Sequence, residues 1–176
     1  MNFPRILKKR KGYIDRIKPF MQKSVVKVLT GQRRVGKSFL LYQLIEEILA
    51  KEPDANIIYV NLEDFTFSSL QTAEDLHSYI ISHSKEKVKN YIFIDEIQDI
   101  PGFEKVIRSL LLNEDNDIYI TGSNAKMLSG ELATYLSGRY IEFKIYSLSY
   151  SEFLEFHGLT ESETSYELYS RYGGLP

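Results

Sequence analysis

The sequence predicts an α/β fold, a parallel five-stranded sheet with helices on both faces. Three observations predict it. Short apolar, β-branched runs alternate with longer stretches of helical period, the pattern of βαβ units. The runs are almost continuously apolar, as strands covered on both faces are. Each run is separated from the next by enough chain for a right-handed crossover.

VVKVLTG (25–31) reads as the first strand and ends at a glycine. KSFLLYQLIEEILAKE (37–52) follows as a helix, with Leu41, Leu44, Ile45, Ile48 and Leu49 on one face and Pro53 as its stop. NIIYVNL (56–62) is the second strand. TAEDLHSYIISHS (72–84) reads as a helix capped by Thr72, with Leu76, Tyr79 and Ile80 inward. YIFIDE (91–96) is the third strand, and PGFEKVIRSLLLN (101–113) a helix with Phe103, Ile107, Leu110 and Leu111 apolar. DIYITGS (117–123) is the fourth strand. Residues 126–137 suit a short helix and RYIEFKIYSL (139–148) the fifth strand. SYSEFLEFHG (149–158) and SETSYELYSRYGG (162–174) read as two short helices rich in Tyr and Glu. Three regions result: a basic lead-in segment (1–24), a core (25–148), and the start of a helical lid or linker (149–176) that ends without a closing element, as a fragment would.

Composition narrows the class. The 176 residues are 43% hydrophobic and 26% charged, ordinary for a globular protein. There is no Cys, which excludes disulfides and thiolate metal sites. The three His residues lack ligand spacing, so zinc is not expected. MNFPRILKKRKG has no apolar signal-peptide core, and no apolar run approaches the roughly 20 residues that span a bilayer. The expectation is a cytoplasmic protein with no membrane role. Residues 1–24 carry eight basic residues and one acid, a net of +7, against −2 for the whole chain and therefore −9 for the remainder. Such an arm either binds DNA or an acidic protein, or folds back onto the acidic body.

The chemistry centres on GQRRVGKS (31–38). Chance produces this Gly-x4-Gly-Lys-Ser pattern in about one chain of this length in 200. Here it follows a strand and opens a helix, the setting a phosphate-binding loop requires. Its glycines let backbone N–H groups curl around an anion, and the helix adds its positive dipole end. The candidate nucleotide-binding residues are Gly31, Gln32, Arg33, Arg34, Val35, Gly36, Lys37, Ser38 and Phe39. Lys37 would neutralise β- and γ-phosphates, and Ser38 would give its hydroxyl to Mg²⁺. In YIFIDE, four apolar residues precede two acids, at the strand end where open α/β sheets bind ligands. Asp95 would hold Mg²⁺ through water, and Glu96 would act as general base on the attacking water. TGSN (121–124) places Ser123 or Asn124 at the same edge, either to touch the γ-phosphate or only to make a turn, with Asn124 the better candidate because its amide both donates and accepts. Arg139, after a glycine and before the last strand, suits an arginine finger acting within its own subunit or a neighbour's, or an ion pair at the strand edge. Glu63 and Asp64 follow the second strand at the same edge, where they either assist the water or sense the nucleotide, or serve as solvated turn acids, the reading their position favours.

Together LTGQRRVGKS, YIFIDEIQ, TGSN, LSGRY, YSLSYSEFL and YGGLP resemble the prokaryotic AAA-like ATPases with a GxRRxGK[ST] loop, from about Lys27 onward. The resemblance implies a P-loop NTPase core of the ASCE type with strand order 5-1-4-3-2. It implies Mg-ATP hydrolysis, with Gly31, Gly36, Lys37 and Ser38 as Walker A and Asp95 and Glu96 as Walker B. Asn124, with Ser123, matches the sensor position, and Arg139 matches the family's Gly-Arg. Members of that family continue past the GG-P segment into further domains, so the chain corresponds to their N-terminal ATPase portion.

Three functions compete. The first is an ATPase, marked by Glu96 directly after Asp95, passing a conformational change to a partner or homo-oligomer. The second is a nucleotide-gated binding or scaffold module with little turnover. The third is a P-loop kinase, for which the helices after residue 148 show no acceptor site.

Overall fold

The computed structural model describes residues 8–123 and 134–175. Within them lie α1 (Lys11–Ile17), β1 (Val26–Thr30), α2 (Lys37–Leu49), β2 (Asn56–Asn61), α3 (Ala73–His83), β3 (Asn90–Asp95), α4 (Phe103–Leu110), β4 (Asn116–Gly122), β5 (Tyr140–Lys144), α5 (Tyr150–His157) and α6 (Glu163–Tyr172). The helix expected over 126–137 falls mostly outside the described residues.

The strands form one sheet in the order β2-β3-β4-β1-β5, and every neighbouring pair is parallel. This is the order 5-1-4-3-2 read from the other edge. The central strands β1, β3 and β4 are buried along their whole length, whereas β2 and β5 are partly exposed at the edges. Continuous apolar runs are therefore what the three inner strands require.

Strand alternation divides the core in two. Ile92 and Ile94 of β3 join Val26, Val28, Ile118 and Ile120 on one face, under α3 and α4. Tyr91 and Phe93 join Leu29, Tyr119 and Phe143 on the other, under α1 and α2. Phe93 and Tyr119 stack there with ring centroids 4.5 Å apart.

Local signals set the helix ends. Thr72 caps α3 as expected and forms a capping box with Asp75. Ser149 and Glu152 form a second box at α5. α4 is shorter than its apolar pattern, because Gly102 in the left-handed region sets its start and the chain turns after Leu111.

The basic lead-in is packed, not free, over residues 8–24. Ile14 and Ile17 of α1 are buried against α2. Lys9 and Lys18 both pair with Glu47, at 3.3 and 2.9 Å. At the N-terminal end of the strands, Lys27 and Asp117 form a fully buried ion pair. Lys27 also donates to the Lys23 carbonyl, and Asp117 accepts from the Gln22 amide and the Tyr119 hydroxyl. Burial holds the Lys27 ammonium below its ordinary value despite its partner.

Candidate functional site

Backbone geometry builds the loop between β1 and α2. Gly31 has φ 153°, and a Cβ there would stand 2.3 Å from the Ile145 carbonyl oxygen. Gly36 has φ 90° and caps α2, so the helix N-terminus faces the cavity. Arg34 adopts φ 66° and lies exposed with Gln32 and Arg33, while Val35 is buried as the loop's anchor. Arg33 pairs with Glu63 at 2.9 Å in solvent. Asp64 caps the short turn after β2 through the Thr66 amide.

Lys37 is only 4% exposed. Its ammonium donates to the carbonyls of Gly31 and Gln32, each at 3.1 Å, and stands 3.2 Å from Glu96 Oε1. A cavity of about 800 Å³ opens in front of it. Its walls include Arg33, Arg34, Lys37, Ser38, Phe39, Glu63 and Glu96, together with Arg10, Gln43 and Phe156.

β3 delivers the two acids. Asp95 is buried; Thr121 of the adjacent β4 donates to its Oδ1, and the Tyr59 hydroxyl donates to its Oδ2 at 3.3 Å. Burial and the Asp95 charge push the Tyr59 hydroxyl up, so it remains a proton donor. Glu96 sits at φ 56°, uncommon for a residue with a Cβ, and its N–H donates to Thr121 Oγ1 at 2.9 Å. Burial works to raise the Glu96 carboxyl. Gln98, which donates to Oε2 at 2.8 Å, the Lys37 charge and the Ser123 hydroxyl together hold it below its ordinary value of 4.5.

The fold thus brings together the 31–39 loop, Asp95, Glu96 and Ser123. Asn124 lies outside the described residues. Arg139 does not join them. β5 runs parallel to β1 with Tyr140 beside Val26 and Lys144 beside Thr30, so Arg139 stands at the opposite end of the sheet from the loop. Five residues of strand, about 16 Å at roughly 3.3 Å per residue, separate the two levels. No arginine side chain spans that, so a cis role for Arg139 is incompatible with the topology.

Four contributors were not singled out by sequence: Arg10, Tyr59, Gln98 and Thr121. Arg10 is 4% exposed despite lying in the basic run. Its guanidinium donates to the Val35 carbonyl of the loop at 3.0 Å and to the Tyr146 carbonyl at 2.9 Å, and it grips Glu152 of α5 at 2.8 and 3.0 Å. One side chain thereby joins the lead-in, the loop, the exit of β5 and α5. Below it, Leu148 and Gly174 pair through their backbones, and a Cβ at Gly174 would meet the Leu148 carbonyl oxygen at 2.2 Å.

The residues present fit a nucleotide and Mg²⁺. Among the described residues the buried ammonium of Lys37 bonds two carbonyls and one carboxylate, at the mouth of a helix N-terminus. Asp95 has both oxygens held by protein hydroxyls, as suits a carboxylate that orders metal-bound water. Among the described residues no cluster of three or more His, Asp or Glu side chains forms a closed metal site.

The family model described as AAA domain matches residues 23–154. An uncharacterized protein of Haemophilus influenzae is 41% identical over 178 residues, covering 95% of this chain and 43% of that protein, so the chain spans less than half of its relative. Among solved structures, the Aeropyrum pernix ORC1 protein in complex with DNA superposes with TM-score 0.61 at 14% identity, over 94% of this chain and 51% of that one. AMPPCP-bound DnaA from Aquifex aeolicus gives 0.57 at 15%, over 96% and 59%. At these identities the two structures speak for the fold alone. The matched span holds the whole loop, the β3 carboxylates and all five strands, and on that ground this chain belongs to the AAA-domain family of nucleotide-binding, P-loop ATPase-type proteins.

Proposed function

We propose that the protein binds Mg-ATP in the cavity before Lys37 and hydrolyses it, with Glu96 as general base. The observation that carries this reading is the Lys37–Glu96 pair at 3.2 Å: a buried cation and a buried carboxylate hold each other where a phosphate would separate them. When phosphate enters, Lys37 exchanges the Gly31 and Gln32 carbonyls and Glu96 for phosphate oxygens. Glu96 Oε1 is then free to accept a proton from water. The water oxygen bonds to the γ-phosphorus, the bond to the β-γ bridging oxygen breaks, and the proton passes from Glu96 to phosphate or solvent. Bound Mg²⁺, held by Ser38 and through water by Asp95, would supply charge neutralisation at the phosphates. The coupled structure would be α5, reached from the loop through Arg10.

Calorimetric titration with Mg-ATP tests the binding half. Lys37→Ala should lose binding. Glu96→Gln should keep it and bind more tightly, because the buried carboxylate that competes with phosphate for Lys37 is gone. Equal affinity in wild type and Lys37→Ala would refute the site.

One observation favours a second reading, a nucleotide-gated module with little turnover as a single chain. Arg139 stands away from the site of its own subunit, so it would act as an arginine finger only on the site of a second copy. Activity per chain should then rise with protein concentration and be lost in Arg139→Ala. The arm is a weaker candidate for DNA or an acidic partner, since Lys9, Arg10 and Lys18 are engaged with Glu47 and Glu152. Lys11 and Lys23 remain exposed. Their substitution by Glu should abolish any salt-dependent DNA binding that belongs to this face.

A further inference from the structure

β3 ends at Asp95, and the chain then passes through Glu96 into a single tight turn, Ile97–Asp99. Ile97 is buried in the core, which fixes the turn, and Gln98 projects back along it toward Glu96. Gln98 Nε2 donates to Glu96 Oε2 at 2.8 Å and approaches Asp99 Oδ1 at 3.3 Å. This sets the amide's orientation, because the flipped amide would face its oxygen to two carboxylates. The other end of the amide, Oε1, is buried and has no hydrogen-bond partner among the described residues. An orphaned buried acceptor opposes folding, and an apolar side chain of the same length would avoid it. The turn tolerates that orphan where the amide nitrogen grips the buried carboxylate of Glu96 at the cavity wall.

The two oxygens of Glu96 are held differently. Oε1 faces Lys37, a bond that entering phosphate would break, and Oε2 faces Gln98, a bond lying away from Lys37 on the turn itself; the Ser123 hydroxyl just after β4 also bonds the carboxylate, so Gln98 is the grip that comes from Glu96's own turn. We infer that Gln98 is a positioning residue for the hydrolytic step: it keeps Glu96 aimed at the γ-phosphate after Lys37 has left, so that the freed Oε1 meets the attacking water. The inference rests on the hydrolase reading above and adds to it the group that orients the base. Gln98 touches neither substrate nor water in this role, so its removal acts on the chemical step and not on nucleotide binding.

The test is steady-state phosphate release and ATP affinity of the full chain, comparing wild type, Gln98→Met and Gln98→Glu. Gln98→Met keeps the length of the side chain and removes the grip; kcat should fall about 10-fold to 100-fold with ATP affinity within twofold. Gln98→Glu keeps the shape but sets a carboxylate against Glu96, and kcat should fall further still. A packing role gives the reverse ranking, with the isosteric Glu variant the milder. Wild-type kcat in Gln98→Met, a milder loss in Gln98→Glu than in Gln98→Met, or losses that appear as weakened ATP affinity overturn the assignment while leaving Glu96 as base. A wild-type protein that binds ATP and releases no phosphate at any concentration overturns the hydrolase reading, and this assignment with it.

Discussion

Replacing Arg10 by Met tests the joint between the lead-in, the loop and α5. The substitution keeps the apolar stem and removes the guanidinium alone. Lost are the donors to the Val35 and Tyr146 carbonyls and the two-point grip on Glu152. Hydrogen bonds to charged groups contribute about 1.5–3 kcal/mol each, and they do not add. Glu152 is 26% exposed at its side chain, so water recovers part of its charge once Arg10 is gone. The net loss should be about 3–4 kcal/mol. For a chain of 176 residues, at roughly 2–4 °C per kcal/mol, Tm should drop about 10 °C. Thermal unfolding followed by circular dichroism reads this directly. In a double-mutant cycle with Glu152→Gln, the two losses should fall well short of summing. ATP affinity should weaken about fivefold, because Val35 anchors the loop. A drop below about 3 °C with unchanged affinity would refute the view that this side chain couples the loop to α5.

Other consequences follow from the same contacts. Asp117→Asn leaves the Lys27 ammonium buried without its counter-charge and should cost about 3–5 kcal/mol in urea unfolding, whereas Lys27→Met with Asp117→Leu should recover most of that. Glu152 lies below its ordinary 4.5 in the folded chain, because the hydrogen bonds from Arg10 and the Ser149 amide outweigh its burial. A carboxylate with a depressed folded pKa stabilises fully above its unfolded value and loses that contribution as pH falls through the folded one. The stability advantage of wild type over Glu152→Gln should therefore be constant from pH 7 to about 4.5 and shrink below it. An advantage that grows on acidification would contradict the pairing.

Much of the architecture was legible locally. β1, β3 and β4 are buried from end to end, so apart from paired polar residues near their ends, such as Lys27 and Asp117, they are apolar, and the runs stood out. The loop was legible because phosphate binding demands glycine, lysine and a hydroxyl at fixed spacing. Strand order was not legible from spacing and came from the resemblance, since a local pattern says nothing about which strand lies beside which. Arg10 was hidden by its neighbours: in KKRK every charge looks solvated, and its partners lie 25 and 142 positions away. Thr121 and Tyr59 reach Asp95 only because three strands align in parallel register. The placement of Arg139 depended on the direction of β5 beside β1, which no spacing reveals. Gln98 stood inside the IDEIQ run, but only the turn after β3 shows that its amide points back to Glu96.

The central claim is that Glu96 removes a proton from water at a phosphate held by Lys37. The most direct measurement is phosphate release from Mg-ATP by wild type and Glu96→Gln, at protein concentrations high enough for copies to meet and with nucleotide binding measured in both. Wild type should turn over, and Glu96→Gln should lose at least about 100-fold in rate with ATP still bound. Equal turnover in the two proteins, or tight binding without turnover in wild type at every concentration, would contradict it.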